Sequence, residues 1–123
     1  MLAGFGEGYG VDRETAFSVS RGFGSGMGLG TVCGAVTGAT MVLGFKFQGK
    51  RNERKARYKT YELVREFVKR FEARHGTVMC KGLLKGIDLS NEEGRKKADK
   101  QKLFTTVCPG YVKDAAQILD EML

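Results

Sequence analysis

The chain has 123 residues, of which 41% are hydrophobic and 28% are charged, with a formal net charge of +7. This length and balance predict one soluble globular domain, residues 1–123, that can bury a core without disulfide staples. The positive charge lies wholly in residues 46–123 and favours an acidic partner. Because no recognised nucleic-acid-binding motif accompanies it, we do not expect a nucleic-acid partner.

The first thirty residues are rich in glycine. Leu2, Phe5 and Tyr9 share one helical face, but four interspersed glycines predict only a weak helix. Asp12 is a candidate N-cap for a following helix of about ten residues. Residues 22–30, GFGSGMGLG, carry glycine at every second position and predict a tight glycine-rich loop, because glycine is a poor strand former.

Residues 31–47, TVCGAVTGATMVLGFKF, are predicted to form the central helix. Gly30, Gly34 and Gly38 recur every four residues and would line one helical face, where they allow another segment to approach closely. The uncharged stretch that contains this helix is long enough to span a bilayer. Half of that stretch is glycine, serine or threonine, so we expect a buried helix rather than a membrane span.

The second part of the chain has stronger helical patterns. Residues 52–75 carry apolar side chains at helical spacing, Tyr61 among them, and Gly76 is a plausible end of that helix. A short apolar turn follows Cys80, and Ser90 with Glu93 forms a capping box for a helix through about residue 104. Pro109 opens an amphipathic closing helix. No strand is predicted, so the fold class is all-α: a compact bundle of about five to six helices.

For three further features we favour a structural interpretation over a functional one. Residues 44–51, GFKFQGKR, nearly match a phosphate-binding loop, but Arg51 replaces the hydroxyl residue that would bind Mg²⁺. The basic run of residues 46–59 is predicted to be the solvated start of a long helix. His75 could be a metal ligand, but a lone histidine at the end of a helix is more often a favourable charge there.

The three cysteines, Cys33, Cys80 and Cys108, each lie near a predicted helix start. Small buried cysteines often only fill space. Helix N-termini, however, stabilise thiolates, the form that attacks disulfides and binds metals. Because the chain contains no CxxC and no secretory signal, we expect a reducing, cytoplasmic setting, in which retained thiols serve redox or metal chemistry.

Several segments resemble one protein family. The run GFGSGMGLGTVCGAVTGATMVLG is similar to the glycine-rich CGAxxG segment of the small C_GCAxxG_C_C proteins, which are described as redox-active. FEARHGTVMCKGLL, DLSNEEG and CPGYVKDAAQILDEML resemble later parts of the same family. The resemblance implies that Cys33, Cys80 and Cys108 correspond to the second, third and fourth family cysteines. The first would lie a few residues before Met1, so the chain either starts downstream of it or has lost it.

We therefore expect Cys33, Cys80 and Cys108 to approach one another around the central helix, with Gly30, Gly34 and Gly38 allowing the approach. The predicted function is thiol–disulfide or electron-transfer chemistry with a redox protein partner. Two alternatives stay open. The cysteines, with His75 or water, could hold a metal ion or iron–sulfur cluster, or the chain could be a helical interaction module with a basic face. Self-association into homo-oligomers also stays open.

Overall fold

The computed structural model describes residues 1–48 and 52–123, and most of them are helical. Five of the helices have eight residues or more, which confirms the all-α fold class and agrees with the predicted bundle of five to six helices. In chain order the helices are α1 (Leu2–Gly6), α2 (Arg13–Ser20), α3 (Gly34–Phe45), α4 (Glu53–His75), α5 (Cys80–Leu83), α6 (Glu92–Lys100), α7 (Leu103–Thr106) and α8 (Cys108–Met122).

Helix α3 is the centre of the fold and packs against α1, α4 and α8. Its buried residues include Val42 and Leu43, which belong to the same buried cluster as two phenylalanines of α4 and the apolar face of α8. Removal of this apolar surface from water supplies the main favourable free energy of folding. We call this cluster the main core; its buried members are Leu2, Ala16, Ala35, Val36, Ala39, Val42, Leu43, Phe67, Phe71, Leu83, Ala115, Ile118 and Leu119.

A second, smaller cluster lies beside the main core and contains the cysteines. Its buried members are Cys80, Leu84, Leu89 and Ala98. We call this group the thiol cluster, and its half-buried members include Cys33, Ile87, Leu103, Phe104, Val107 and Cys108. Most of these residues come from α5 to α7 and from the connections between those short helices.

The predicted N-cap of α2 is confirmed, but the helix is shorter than the predicted length of about ten residues. Asp12 is the N-cap of α2, as predicted, and its carboxylate accepts a hydrogen bond from the backbone N–H of Thr15 at 3.0 Å. The weak N-terminal helix is α1, which spans five residues and is followed by a 3₁₀ turn at Glu7–Tyr9. The glycine-rich segment forms a turn in which residues 25–28 all have positive φ, a left-handed conformation that glycine tolerates best.

The predicted central helix begins three residues later than expected, at Gly34 rather than Thr31. Gly30 therefore precedes the helix, and the three glycines do not form one helical groove. Each allows a different close contact instead: a Cβ at Gly30 would lie 3.1 Å from the backbone nitrogen of Leu89, and one at Gly38 would lie 2.7 Å from the Cβ of Met1. A Cβ at Gly34 would lie 3.1 Å from the carbonyl oxygen of Phe23.

Two predictions for the long helices also need correction. The spacing places Tyr61 on the apolar face of α4, but its side chain is 46% exposed. Phe67 and Phe71 are the fully buried residues of that helix. The N-cap of α6 is Asn91 rather than Ser90; the Asn91 side chain accepts the Gly94 backbone N–H at 2.7 Å.

Helix α6 is also shorter than predicted. It ends at Lys100 instead of continuing to about residue 104. Lys102 adopts a left-handed conformation (φ 57°) that breaks the helix before α7 begins. A left-handed lysine cannot be foreseen from the sequence, since lysine has no intrinsic preference for that region.

Two alternative interpretations concern the segment from α3 to α4. None of the described helices is both long and apolar enough to cross a bilayer. The end of the near phosphate-loop match, residues 49–51, lies outside the described residues, as does part of the basic run of residues 46–59.

Candidate functional site

Two short extended segments bring the first two cysteines together. Val32 pairs with Met79 in an isolated antiparallel bridge. The Cys33 N–H donates to the Val78 carbonyl at 2.8 Å, and the Cys80 N–H donates to the Thr31 carbonyl at 2.9 Å. Because side chains alternate along extended backbone, both cysteines lie on the face opposite Val32 and Met79.

Each cysteine stands at the beginning of a helix, as the sequence predicts. Cys33 is the N-cap of α3, Cys80 is the first residue of α5, and Cys108 is the first residue of α8, immediately before Pro109. The backbone N–H groups in the first turn of a helix have no partner within the helix and carry partial positive charge. The two longer helices, α3 and α8, therefore direct positive potential toward their cysteines.

The structure brings all three predicted cysteines to one pocket of about 200 Å³. The three are free thiols: Cys80 is buried, whereas Cys33 and Cys108 are half-buried. The rest of the wall is mainly apolar and includes Leu84, Leu89, Phe104 and Tyr111. Gly34 also lines the pocket, but Gly30 and Gly38 do not.

Cys33 is the most acidic of the three thiols. The Cys80 thiol donates a hydrogen bond to the Cys33 sulfur and lowers the pKa of Cys33 to about 6, although burial acts in the opposite direction. The backbone N–H groups of Ala35 and Val36, in the first turn of α3, contribute to the same lowering. At neutral pH Cys33 is therefore mainly a thiolate, the nucleophilic form of cysteine.

The other two thiols are held in the protonated form. The hydrogen bond to Cys33 raises the pKa of Cys80, because Cys80 must keep its proton to donate it, and burial and the Cys33 charge add to this effect. Burial raises the pKa of Cys108, as does the charge of Cys33. The pocket thus places one thiolate beside two proton-bearing thiols.

Tyr111, which lies two residues after Pro109 in the closing helix, is a residue of the pocket that the sequence did not single out. Its hydroxyl donates a hydrogen bond of 2.6 Å to the Leu83 carbonyl, which ties α8 to α5. Burial raises the pKa of Tyr111, and the negative charges that Cys108 and Cys33 carry when ionised raise it further. The available signal was its spacing, since a residue three positions after Cys108 on a helix lies on the same side.

His75, the candidate fourth ligand of the metal-binding alternative, does not line the cysteine pocket. Its Nε2 lies 2.8 Å from Oδ2 of Asp114, and its ring packs edge-on against Tyr111 with centroids 4.8 Å apart. Across residues 1–48 and 52–123, no three His, Cys, Asp or Glu side chains are arranged to hold a metal ion. The three cysteines therefore line one pocket without forming a three-sulfur donor set, and the histidine lies outside that pocket.

Comparison with known proteins places this chain in a family. The profile of the C_GCAxxG_C_C family, whose description is "putative redox-active protein", matches residues 1–122. The chain belongs to this family. No curated protein and no solved structure matches this C_GCAxxG_C_C protein. The family signature names four cysteines, and the three of this chain are those of the pocket.

Proposed function

We propose that this C_GCAxxG_C_C protein carries out thiol–disulfide exchange, with Cys33 as the attacking thiolate and Cys80 as the resolving thiol. The observation that carries the proposal is that the backbone pairing of residues 31–33 with residues 78–80 places Cys33 and Cys80 in one pocket, beside a third thiol, Cys108. A hydrogen-bonded pair of thiols at a helix N-terminus has the composition that exchange requires: one ionised nucleophile and one neighbouring sulfur that can close a disulfide.

In the first step the Cys33 thiolate attacks one sulfur of a partner disulfide. A bond forms between Cys33 and that sulfur, the partner S–S bond breaks, and the second partner sulfur leaves as a thiolate. In the second step Cys80 gives its proton to this thiolate and attacks the Cys33 sulfur. The Cys33–Cys80 disulfide forms, and the first partner sulfur leaves and takes a proton from water.

The overall exchange balances. Cys33 and Cys80 lose two electrons, and the partner disulfide gains them and becomes a dithiol; the reverse reaction returns the protein to its reduced form. Cys108 stays protonated in the same pocket and takes no part in the exchange. A redox protein partner and a reducing compartment such as the cytoplasm suit a pocket of free thiols.

The roles are tested by incubating reduced protein in a glutathione redox buffer, quenching with acid and mapping the disulfides by mass spectrometry. We expect wild type to form the Cys33–Cys80 disulfide and Cys80→Ser to accumulate a glutathione adduct on Cys33. Cys33→Ser should form neither product, and Cys108→Ser, the matched control, should behave as wild type. An adduct confined to Cys108, or a Cys33→Ser variant as reactive as wild type, would contradict the assignment.

The same samples distinguish the alternative functions. Stoichiometric zinc or iron in protein purified without chelator, absent from Cys33→Ser, would favour the metal-binding alternative. Salt-sensitive association with an acidic partner that persists after every thiol is alkylated would favour the helical interaction module.

A further inference from the structure

A second cavity adjoins the thiol pocket. It has a volume of about 430 Å³ and shares Leu83, Leu84 and Tyr111 with the wall of the thiol pocket. A cavity of this size falls within the range that binds small molecules. We call this cavity the lysine groove; its remaining lining residues are Lys85, Ile87, Lys97, Gln101, Leu103 and Val107.

The polar side chains that line the lysine groove, those of two lysines, Gln101 and Tyr111, are all basic or neutral. Lys85 and Lys97 are exposed at its edge, and no acidic residue lines it. Neither lysine forms an ion pair with the described part of the chain. The carboxylate of Asp88 is engaged elsewhere, because one of its oxygens accepts the backbone N–H of Ser90 at 2.9 Å and also the Ser90 hydroxyl.

The two lysines of the groove offset the repulsion between the Cys33 thiolate and an anionic substrate. The Cys33 thiolate is negatively charged and would repel an anionic disulfide. Two ammonium groups in the adjoining groove supply an opposite field that attracts such a molecule and raises its local concentration. The apolar floor beneath them, which includes Ile87, Leu103 and Val107, accommodates the carbon skeleton of the same molecule.

We infer that the lysine groove binds the anionic half of a small organic disulfide, whose sulfur is then presented to the thiol pocket across Tyr111 and Leu84. This inference rests on the proposed exchange function and adds its substrate class: a low-molecular-weight disulfide that bears carboxylates. The exchange step is the one already written for Cys33, with the small disulfide as the oxidant that is reduced.

The first test compares the rates at which Cys33 forms a mixed disulfide with anionic glutathione disulfide and with cationic cystamine. In Lys85→Gln/Lys97→Gln we expect the rate with glutathione disulfide to fall about tenfold, and that with cystamine to stay the same or rise. The control Lys59→Gln/Lys69→Gln removes the same net charge from α4, and neither residue lines either cavity. An equal loss in both double variants, or no loss in either, would overturn the inference.

The second test measures binding without exchange. S-methylglutathione cannot form a disulfide, and we expect it to shift the backbone amide NMR signals of Ile87 and Leu103 in wild type but not in Lys85→Gln/Lys97→Gln. If these shifts occur while Cys33 reacts with neither disulfide, the groove inference stands and the exchange function falls. If Cys33 reacts equally with both disulfides and no shifts occur, the groove inference is overturned and the exchange function stands.

Discussion

The main core and the thiol cluster bury their side chains by different means. Large residues of the main core, such as Phe67 and Ile118, lie on long helices and are completely buried. The thiol cluster is assembled mainly from the short helices α5, α6 and α7 and from connections with left-handed residues, Lys85 and Lys102. The long helices bury the large side chains of the main core completely, whereas the irregular pieces leave a pocket with two half-buried thiols. The reactive groups thus lie where regular packing ends.

The largest expected effect is the loss of stability when a side chain of the main core is removed. Phe67→Ala should lower the free energy of unfolding by about 3–5 kcal/mol, because it leaves a cavity in the main core. Urea denaturation followed by circular dichroism measures this loss, and the folded fraction should keep the wild-type pKa of Cys33. The control Phe17→Ala, at a side chain that is 50% exposed, should cost about 0.5 kcal/mol or less. Equal losses in the two variants would contradict the assignment of the core.

The second prediction concerns the packing of the thiol cluster. A Cβ at Gly94 would overlap the carbonyl group of Asp88, which is backbone and cannot move aside easily. Gly94→Ala should therefore lower the free energy of unfolding by about 1–3 kcal/mol. Gly44→Ala is the matched control within α3, where a Cβ would meet no atom within 4 Å; it should stabilise by about 0.5–1 kcal/mol. Effects of the same sign in both variants would refute this account.

The third prediction concerns the link between the two regions. Tyr111→Phe removes the hydrogen bond from α8 to the Leu83 carbonyl of α5 and should lower the free energy of unfolding by about 0.5–1.5 kcal/mol. Tyr61→Phe, at an exposed tyrosine of α4, should leave it unchanged. Chemical denaturation of both variants measures the difference. If Tyr111→Phe and wild type have the same midpoint of urea unfolding, the hydrogen bond does not stabilise the link between α8 and α5.

The long helices could be predicted because their signals are local. The Asp12 cap and the Gly76 end of α4 follow from rules that act within one turn. The exact cap of α6 was missed because Ser90 and Asn91 are both competent caps, and Ser90 is engaged by Asp88 instead. Exposure of Tyr61 could not be inferred either, since helical spacing identifies a face but not how far its packing partners extend.

The candidate site was predicted in its composition but not in its construction. The positions of Cys33, Cys80 and Cys108 at helix starts follow from local sequence. The bridge between Val32 and Met79, which aligns the first two cysteines, involves segments too short to show strand alternation and too distant in sequence to pair by inspection. The opposite pKa shifts of Cys33 and Cys80 arise from this tertiary contact and have no local signature.

The most direct test of the central claim is the pH dependence of Cys33 alkylation by iodoacetamide, followed by mass spectrometry. The rate should rise with pH through a midpoint of about 6, because the hydrogen bond from Cys80 lowers the pKa of Cys33. Cys80→Ala removes the donor and should move the midpoint to higher pH, whereas Cys108→Ala should leave it in place. A wild-type midpoint near the ordinary cysteine pKa of about 8.5, or no change in Cys80→Ala, would contradict the account.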